Sequence, residues 1–348
     1  FHKKTKSSRF FTDFLQERGH RLSYYWDESW QGGAPVFLDN SICKHDIIIC
    51  FQILPTYVKK LASHHPNIIF VPMLDTYGFT AHRGLNFGPY FAALHGIKII
   101  NFSKILHYYC QGIGLYSRYF QYWLPHIIDE PPLSTGLHGF FWCRRPSQIN
   151  WHTVKALIGD TVFDSFYLRL IPDPGEKITD IPTPEEQKRH NMTISYEWFT
   201  DKEEYEALLK KTNVFFVPRL EEGIGLAMLD SFRRGHCIVS PDHGTMNEYI
   251  KNGYNGILYD YTDPQTINIL DLPSIQKNIL HDAEQGYLHW EKSLSQLEEY
   301  ILTPSEKYYA QLKLRTPFPP DSFIRYISQI PYIRDVANKL KKYIKNKQ

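Results

Sequence analysis

Short apolar runs alternate with amphipathic helical stretches along most of this chain, the pattern of parallel α/β units. Runs such as 47–50 are apolar without a break, which suits strands covered on both faces. In the first half, a helix is predicted over 5–18, with Phe10, Phe11, Phe14 and Leu15 on one face. Strands are predicted over 21–26, 46–51, 67–72 and 98–102, with helices over 56–63 and from Ser103 onward. Residues 125–138 hold Pro125, Pro131 and Pro132 and no periodicity, so they read as a linker. The alternation then restarts. Strands are expected over 139–143, 166–171, 192–196, 213–218 and 237–240, with helices over 151–158, 202–211 and 226–234. A polar, Pro-rich excursion fills 173–189, a long helix 275–301, and a helical segment 321–345. The expected organisation is 1–130, 131–300 and a C-terminal helical segment over 301–348, the last packing back on the first. A doubly wound domain normally opens with a strand, whereas this chain opens in a basic helix, so a leading strand is expected before Phe1.

Composition narrows the function classes. The 39 Lys and Arg against 37 Asp and Glu leave a net charge of +2, too small for bulk attraction to nucleic acid. A hydrophobic share of 43% with 22% charged residues excludes wholesale disorder. No apolar stretch approaches the ~18 residues of a membrane-spanning helix. The five cysteines are dispersed and form no C-x-x-C pair, as in reduced cytosolic proteins. Neither they nor the 16 histidines show metal-ligand spacing, so no metal and no cofactor is expected.

The segment 214–259 carries the chemistry. The apolar strand Val214-Phe215-Phe216-Val217 runs into Pro218-Arg219-Leu220-Glu221-Glu222-Gly223-Ile224-Gly225, and a helix starts at Leu226. A helix start after a glycine-containing turn presents free N–H groups and a positive end to an anion. Gly223 and Gly225 let the backbone approach a ligand closely. Glu222 and Asp230 are eight residues apart. If both were helical they would lie about 80° apart in azimuth and about 12 Å along the axis. That separation suits gripping two parts of one extended ligand rather than sharing a proton or a metal.

With Glu222-Gly-Ile-Gly-Leu-Ala-Met-Leu-Asp230, the segment resembles the C-terminal domain of family 4 glycosyltransferases, whose motif is Glu-x7-Glu. Gly235-His-Cys-Ile-Val-Ser240 is similar to the family's G-x-P-V-I-A/S strand, Gly244-Thr-Met-Asn-Glu248 to its G-G-x-x-E turn, and 253–256 to its N-G-x-N-G phrase. The resemblance implies an α/β protein of the GT-B fold, two Rossmann-like domains facing a central cleft. It implies a retaining, metal-independent, hexosyltransferase-like enzyme of cell-surface polysaccharide biosynthesis, with a nucleotide-diphosphate sugar as donor and a glycan or lipid-linked glycan as acceptor. Carried over residue by residue, Glu222 would hold hydroxyls of the donor sugar, and the amides near Gly225, Leu226 and Ala227 the distal phosphate. Asp230 would hold the ribose, one methylene shorter than the family's Glu. Arg144 and Arg145, after the domain's first strand, would neutralise the diphosphate; the family's following Lys falls near Asn150, for which Arg145 or Lys155 would substitute. Trp198 or Phe199 would stack on the base, or are ordinary core aromatics.

Signals in the first half are sparser. Asp75 follows a strand's carboxyl end, where ligands of open parallel sheets collect. It reads as an acceptor-side polar group or as a capping Asp. Ser103 reads as an N-cap, and His82 and His107 as cleft-lining or structural. Lys3, Lys4, Lys6, Arg9 and Arg18, with Lys339, Lys341, Lys342, Lys345 and Lys347, would suit peripheral contact with an anionic membrane from the cytoplasmic side, or are solvated charge. Two alternatives stand beside transfer: a GT-B protein that binds sugar nucleotides as a scaffold with little or no catalysis, and a sugar-nucleotide hydrolase or epimerase.

Overall fold

A computed structural model describes residues 7–28, 33, 34, 36, 40–77, 91, 94–125, 127, 135–199, 201–269 and 271–307. The chain divides into two compact units, one of 1–121 with 292–348 and one of 122–291. The sequence had suggested 1–130, 131–300 and 301–348.

The first unit holds the helices α1 (Arg9–Glu17), α2 (Pro55–Ala62), α3 (Leu74–Tyr77) and α4 (Lys104–Gly112). Its strands β1 (Ile48–Phe51), β2 (Ile68–Val71), β3 (Lys98–Asn101) and β4 (Ser117–Tyr119) form one parallel sheet in that order. β2 and β3 are buried throughout, as the unbroken apolar run of β2 requires. One buried residue in β3 is charged. Lys98 donates from Nζ to the carbonyls of Tyr300 (2.8 Å), Ile301 (2.7 Å) and Thr303 (2.6 Å). An ammonium there satisfies carbonyls that a helix end leaves without partners.

Residues 21–26 form no strand. Their pattern suits a pleat, but the aromatics take side-chain partners instead. Tyr24 stacks on Trp26 with centroids 5.2 Å apart, and Tyr25 packs on the core and bonds His45 Nε2 at 3.1 Å. His107 is half-buried and bonds Ser117 Oγ at 2.8 Å. Ser103 stands at the N-cap of α4. Lys3, Lys4, Lys6, His82, the helical segment 321–345 and the lysines from Lys339 on lie outside the described residues. Among the described residues, no helix is long and apolar enough to cross a membrane.

The second unit alternates β5 (His138–Trp142), α5 (Trp151–Ile158), β6 (Ser165–Arg169), α6 (Pro184–Arg189), β7 (Met192–Ser195), α7 (Lys202–Lys211), β8 (Val214–Phe216), α8 (Leu226–Arg233), β9 (Cys237–Pro241) and β10 (Ile257–Tyr259). All six strands are parallel, in the order β10-β9-β8-β5-β6-β7. That is the doubly wound order of dinucleotide-binding sheets, with the direction of winding reversing between β5 and β8. Within the Pro-rich excursion, α6 was not expected. Thr183 caps it and Glu186 returns the bond, so four residues of capping-box sequence start a helix there.

The helix α9 (Leu272–Leu302) contributes its residues up to 291 to this unit. Its Gly286 faces Trp123, which packs edge-on against Phe232 (5.5 Å) and Tyr249 (5.0 Å). A Cβ on Gly286 would meet Trp123 Cε2 at 2.2 Å. Gly286→Ala is therefore expected to destabilise the protein by about 2 kcal/mol through overpacking, although helix propensity alone favours alanine by about 1 kcal/mol. Urea denaturation reads the sign; a gain in stability would refute the packing argument.

Candidate functional site

The carboxyl ends of β5 and β8 flank the point where the sheet's winding reverses, the place where open α/β sheets bind ligands. Arg144 and Arg145 follow β5, and Pro218–Gly225 follow β8. Bonds across the two loops hold them in register. Leu220 N donates to Gln148 Oε1 at 3.2 Å, and Asp173 N, in the loop after β6, donates to Arg144 O at 2.8 Å.

Three guanidiniums converge here on one carboxylate. Arg144 donates to Asp173 Oδ1 from Nε (3.1 Å) and Nη2 (3.0 Å). Arg145 Nε reaches Oδ2 at 3.4 Å, and Arg219 Nη2 lies 3.6 Å from the same oxygen. Arg219 Nη1 also donates to Glu222 Oε2 at 3.4 Å. Three positive and two negative groups leave one net positive charge, which favours an anion.

The turn after Glu222 is fixed from below. Thr245 is fully buried, and its Oγ1 donates to the carbonyls of Glu222 (2.7 Å) and Gly223 (3.4 Å). Gly225 is the N-cap of α8 at φ 79°, a left-handed conformation that favours glycine. No side chain caps this helix. Leu226 is half-buried and Ala227 exposed.

A second cluster surrounds Asp230. It accepts from Arg233 Nε (2.8 Å) and Nη2 (2.5 Å) and from Arg234 Nε (3.2 Å), while Arg234 Nη2 also bonds Glu206 at 2.8 Å. A third is aromatic. The buried Arg169 guanidinium lies 4.2 Å from the Phe199 centroid, 4.7 Å from Trp198 and 5.0 Å from Trp142, and donates to Glu197 O. Arg144 lies 4.8 Å from the same Trp142, so one indole connects the arginine cluster with the aromatic one. Trp198 is 63% exposed, whereas Phe199 stacks on Tyr167 and packs against Tyr205.

The structure thus brings Arg144, Arg145, Glu222, Gly223, Gly225, Leu226 and Ala227 to one end of the sheet, and sets Trp198 and Phe199 on Arg169. Asp230 is engaged by arginines of its own helix. Asp75 belongs to the other unit, in the first turn of α3. Neither expected substitute for a second cation needs to act alone. Asn150 caps α5, accepting from Thr153 N, and Lys155 pairs with Glu186. Arg219 is a further cation beside Arg144 and Arg145, with Asp173 between. Sequence reasoning had missed Arg219, Asp173, Trp142 and Arg169. The signal for Arg219 was its place three residues after β8. Among the described residues, no group of three or more His, Cys, Asp or Glu is arranged to hold a metal ion.

Residues 186–269 match the family model described as glycosyl transferases group 1. That segment includes Arg219, Glu222 and Asp230 but neither Arg144 nor Asp173. In three dimensions the chain is similar to HepE (Alr3699) of Anabaena in complex with UDP and glucose, at 11% identity and a TM-score of 0.53 over 83% of this chain and 89% of that one. It is also similar to a glycosyltransferase from Rickettsia africae, at 13% identity and a TM-score of 0.50 over 85% and 81% of the two chains. Against TarM the figures are 12% and 0.48, and the chain covers 53% of TarM's length. No curated protein matches in sequence. The fold is GT-B: two α/β units, each on a parallel sheet.

Proposed function

We propose that the chain is a retaining glycosyltransferase that takes a nucleotide-diphosphate sugar and passes the sugar to a glycan or lipid-linked glycan, without a metal ion or other cofactor. The observation that carries this reading is the convergence of Arg144, Arg145 and Arg219 beside Glu222 and the uncapped start of α8. Departure of a nucleoside diphosphate develops negative charge, and preorganised guanidiniums and helix-start amides stabilise it without having to reorganise. In this reading Glu222 holds donor-sugar hydroxyls, Asp230 the ribose, Trp198 and Phe199 the base, and Asp75 serves the acceptor side. The match of 186–269 to glycosyl transferases group 1 supports it, as does the UDP and glucose held by HepE on a similar fold. The basic residues near both ends suit work at the inner face of a membrane.

The test is transfer and donor hydrolysis by Glu222→Ala and Arg144→Ala, each expected to lose about 10²-fold in rate. Wild-type rates in both would refute the assignment. One observation favours the scaffold reading: Asp230 is already engaged by Arg233 and Arg234. Tight binding of a nucleotide sugar without turnover or hydrolysis would support it.

A further inference from the structure

The three guanidiniums assigned to the diphosphate are not idle before it arrives. Each is within ion-pair distance of Asp173, and Arg144 turns two of its donors, Nε and Nη2, onto a single oxygen. Those are donors with which an arginine fork grips a phosphate. Asp173 is seated for this by its backbone as well, since its N–H is bonded to Arg144 O. Its side chain is only 19% exposed, so water screens the pairing weakly. With Asp173 the cluster carries one net positive charge; without it the same residues would carry two.

We propose that Asp173 is a built-in counter-anion of the donor site. It orients Arg144, Arg145 and Arg219 when no diphosphate is bound, competes with the diphosphate for them, and so lowers the affinity for the product and speeds its release. This rests on the donor-site reading above. The three arginines without Asp173 would hold a multiply charged product more tightly and turn over more slowly. A carboxylate on the same donors keeps their geometry and weakens their grip.

Calorimetric titration of wild type, Asp173→Asn and Asp173→Glu with UDP and with inorganic pyrophosphate, at low and high salt, tests this. The Asn variant is expected to bind both anions about tenfold tighter at low salt, with the gain shrinking at high salt. The Glu variant, which keeps the charge, is expected to stay within about twofold of wild type. If wild type binds and the Asn variant binds no tighter, Asp173 is only a structural brace and the proposal falls while the donor site stands. If a folded wild type binds neither anion, both readings fall. A measurement on the wild-type protein covers a variant that does not fold: the carboxyl carbon resonance of Asp173 is expected to shift as UDP saturates the protein. An unmoved resonance at saturation would overturn the proposal.

Discussion

Sugar transfer by Arg219→Ala is expected to fall about 10²–10³-fold in kcat, a larger loss than in KM. Arg219 is the most buried of the three arginines, at 11% side-chain exposure against 29% for Arg144 and 36% for Arg145. It forms ion pairs with both Asp173 and Glu222. On the proposed donor-site reading, its removal takes a charge from the side of the leaving group, in the least solvated part of the cluster, where electrostatic terms are largest. It also removes the 3.4 Å ion pair from Arg219 to Glu222. Arg219→Lys restores the charge without the fork and is expected to recover only part of the loss. Steady-state kinetics with the nucleotide sugar that most raises the Tm gives the answer. A loss smaller than about tenfold would remove Arg219 from the leaving-group site.

Acid is expected to destabilise both units well above the pH at which exposed carboxylates titrate. Burial pulls the fully enclosed His236 down to about 3, with the neighbouring Arg234 acting in the same direction. In the first unit burial pulls His107 down to about 4. Burial lowers His190 and His243 as well. The unfolded chain takes up these protons near pH 6.5 and the folded chain does not, so unfolding binds protons and stability falls as pH drops. The contribution is fully present above about 6.5. By pH 4 each of His236 and His107 is expected to have cost about 3 kcal/mol. Urea midpoints at pH 7 and pH 4.5 should differ accordingly, and His236→Gln and His107→Gln should each flatten the dependence. Equal midpoints in the wild-type protein would contradict the assignment of these histidines as neutral in the folded protein.

Local pattern made most of the second unit legible. Helices over 151–158 and 202–211 lie where the periodicity places them, because each has its own cap, Asn150 and Asp201, and an apolar face to bury. Residues 21–26 have the composition of a strand but no ladder partner, which sequence does not supply. The strands β4 (Ser-Arg-Tyr) and β10 (Ile-Leu-Tyr) are three residues each and lack the longer apolar run that marks the equally short β8. The candidate site divides the same way. Arg144, Arg145 and Glu222 sit next to recognisable turns. Asp173 and Arg219 become neighbours only because β6 lies beside β5 and β8 on its other side. That adjacency is a property of strand order, and no spacing along the chain encodes it. Trp142 and Arg169 read as strand residues, and their pairing with Arg144 and Trp198 follows from parallel registration, Trp142 opposite Arg169.

An experimental structure with a nucleoside diphosphate tests the donor site most directly. The expected result is phosphate oxygens within hydrogen-bonding distance of Arg144, Arg219 and the amides at the start of α8, with the base against Trp198 or Phe199. A nucleotide seated elsewhere, with the loop from Glu222 to Leu226 closed against protein, would contradict it.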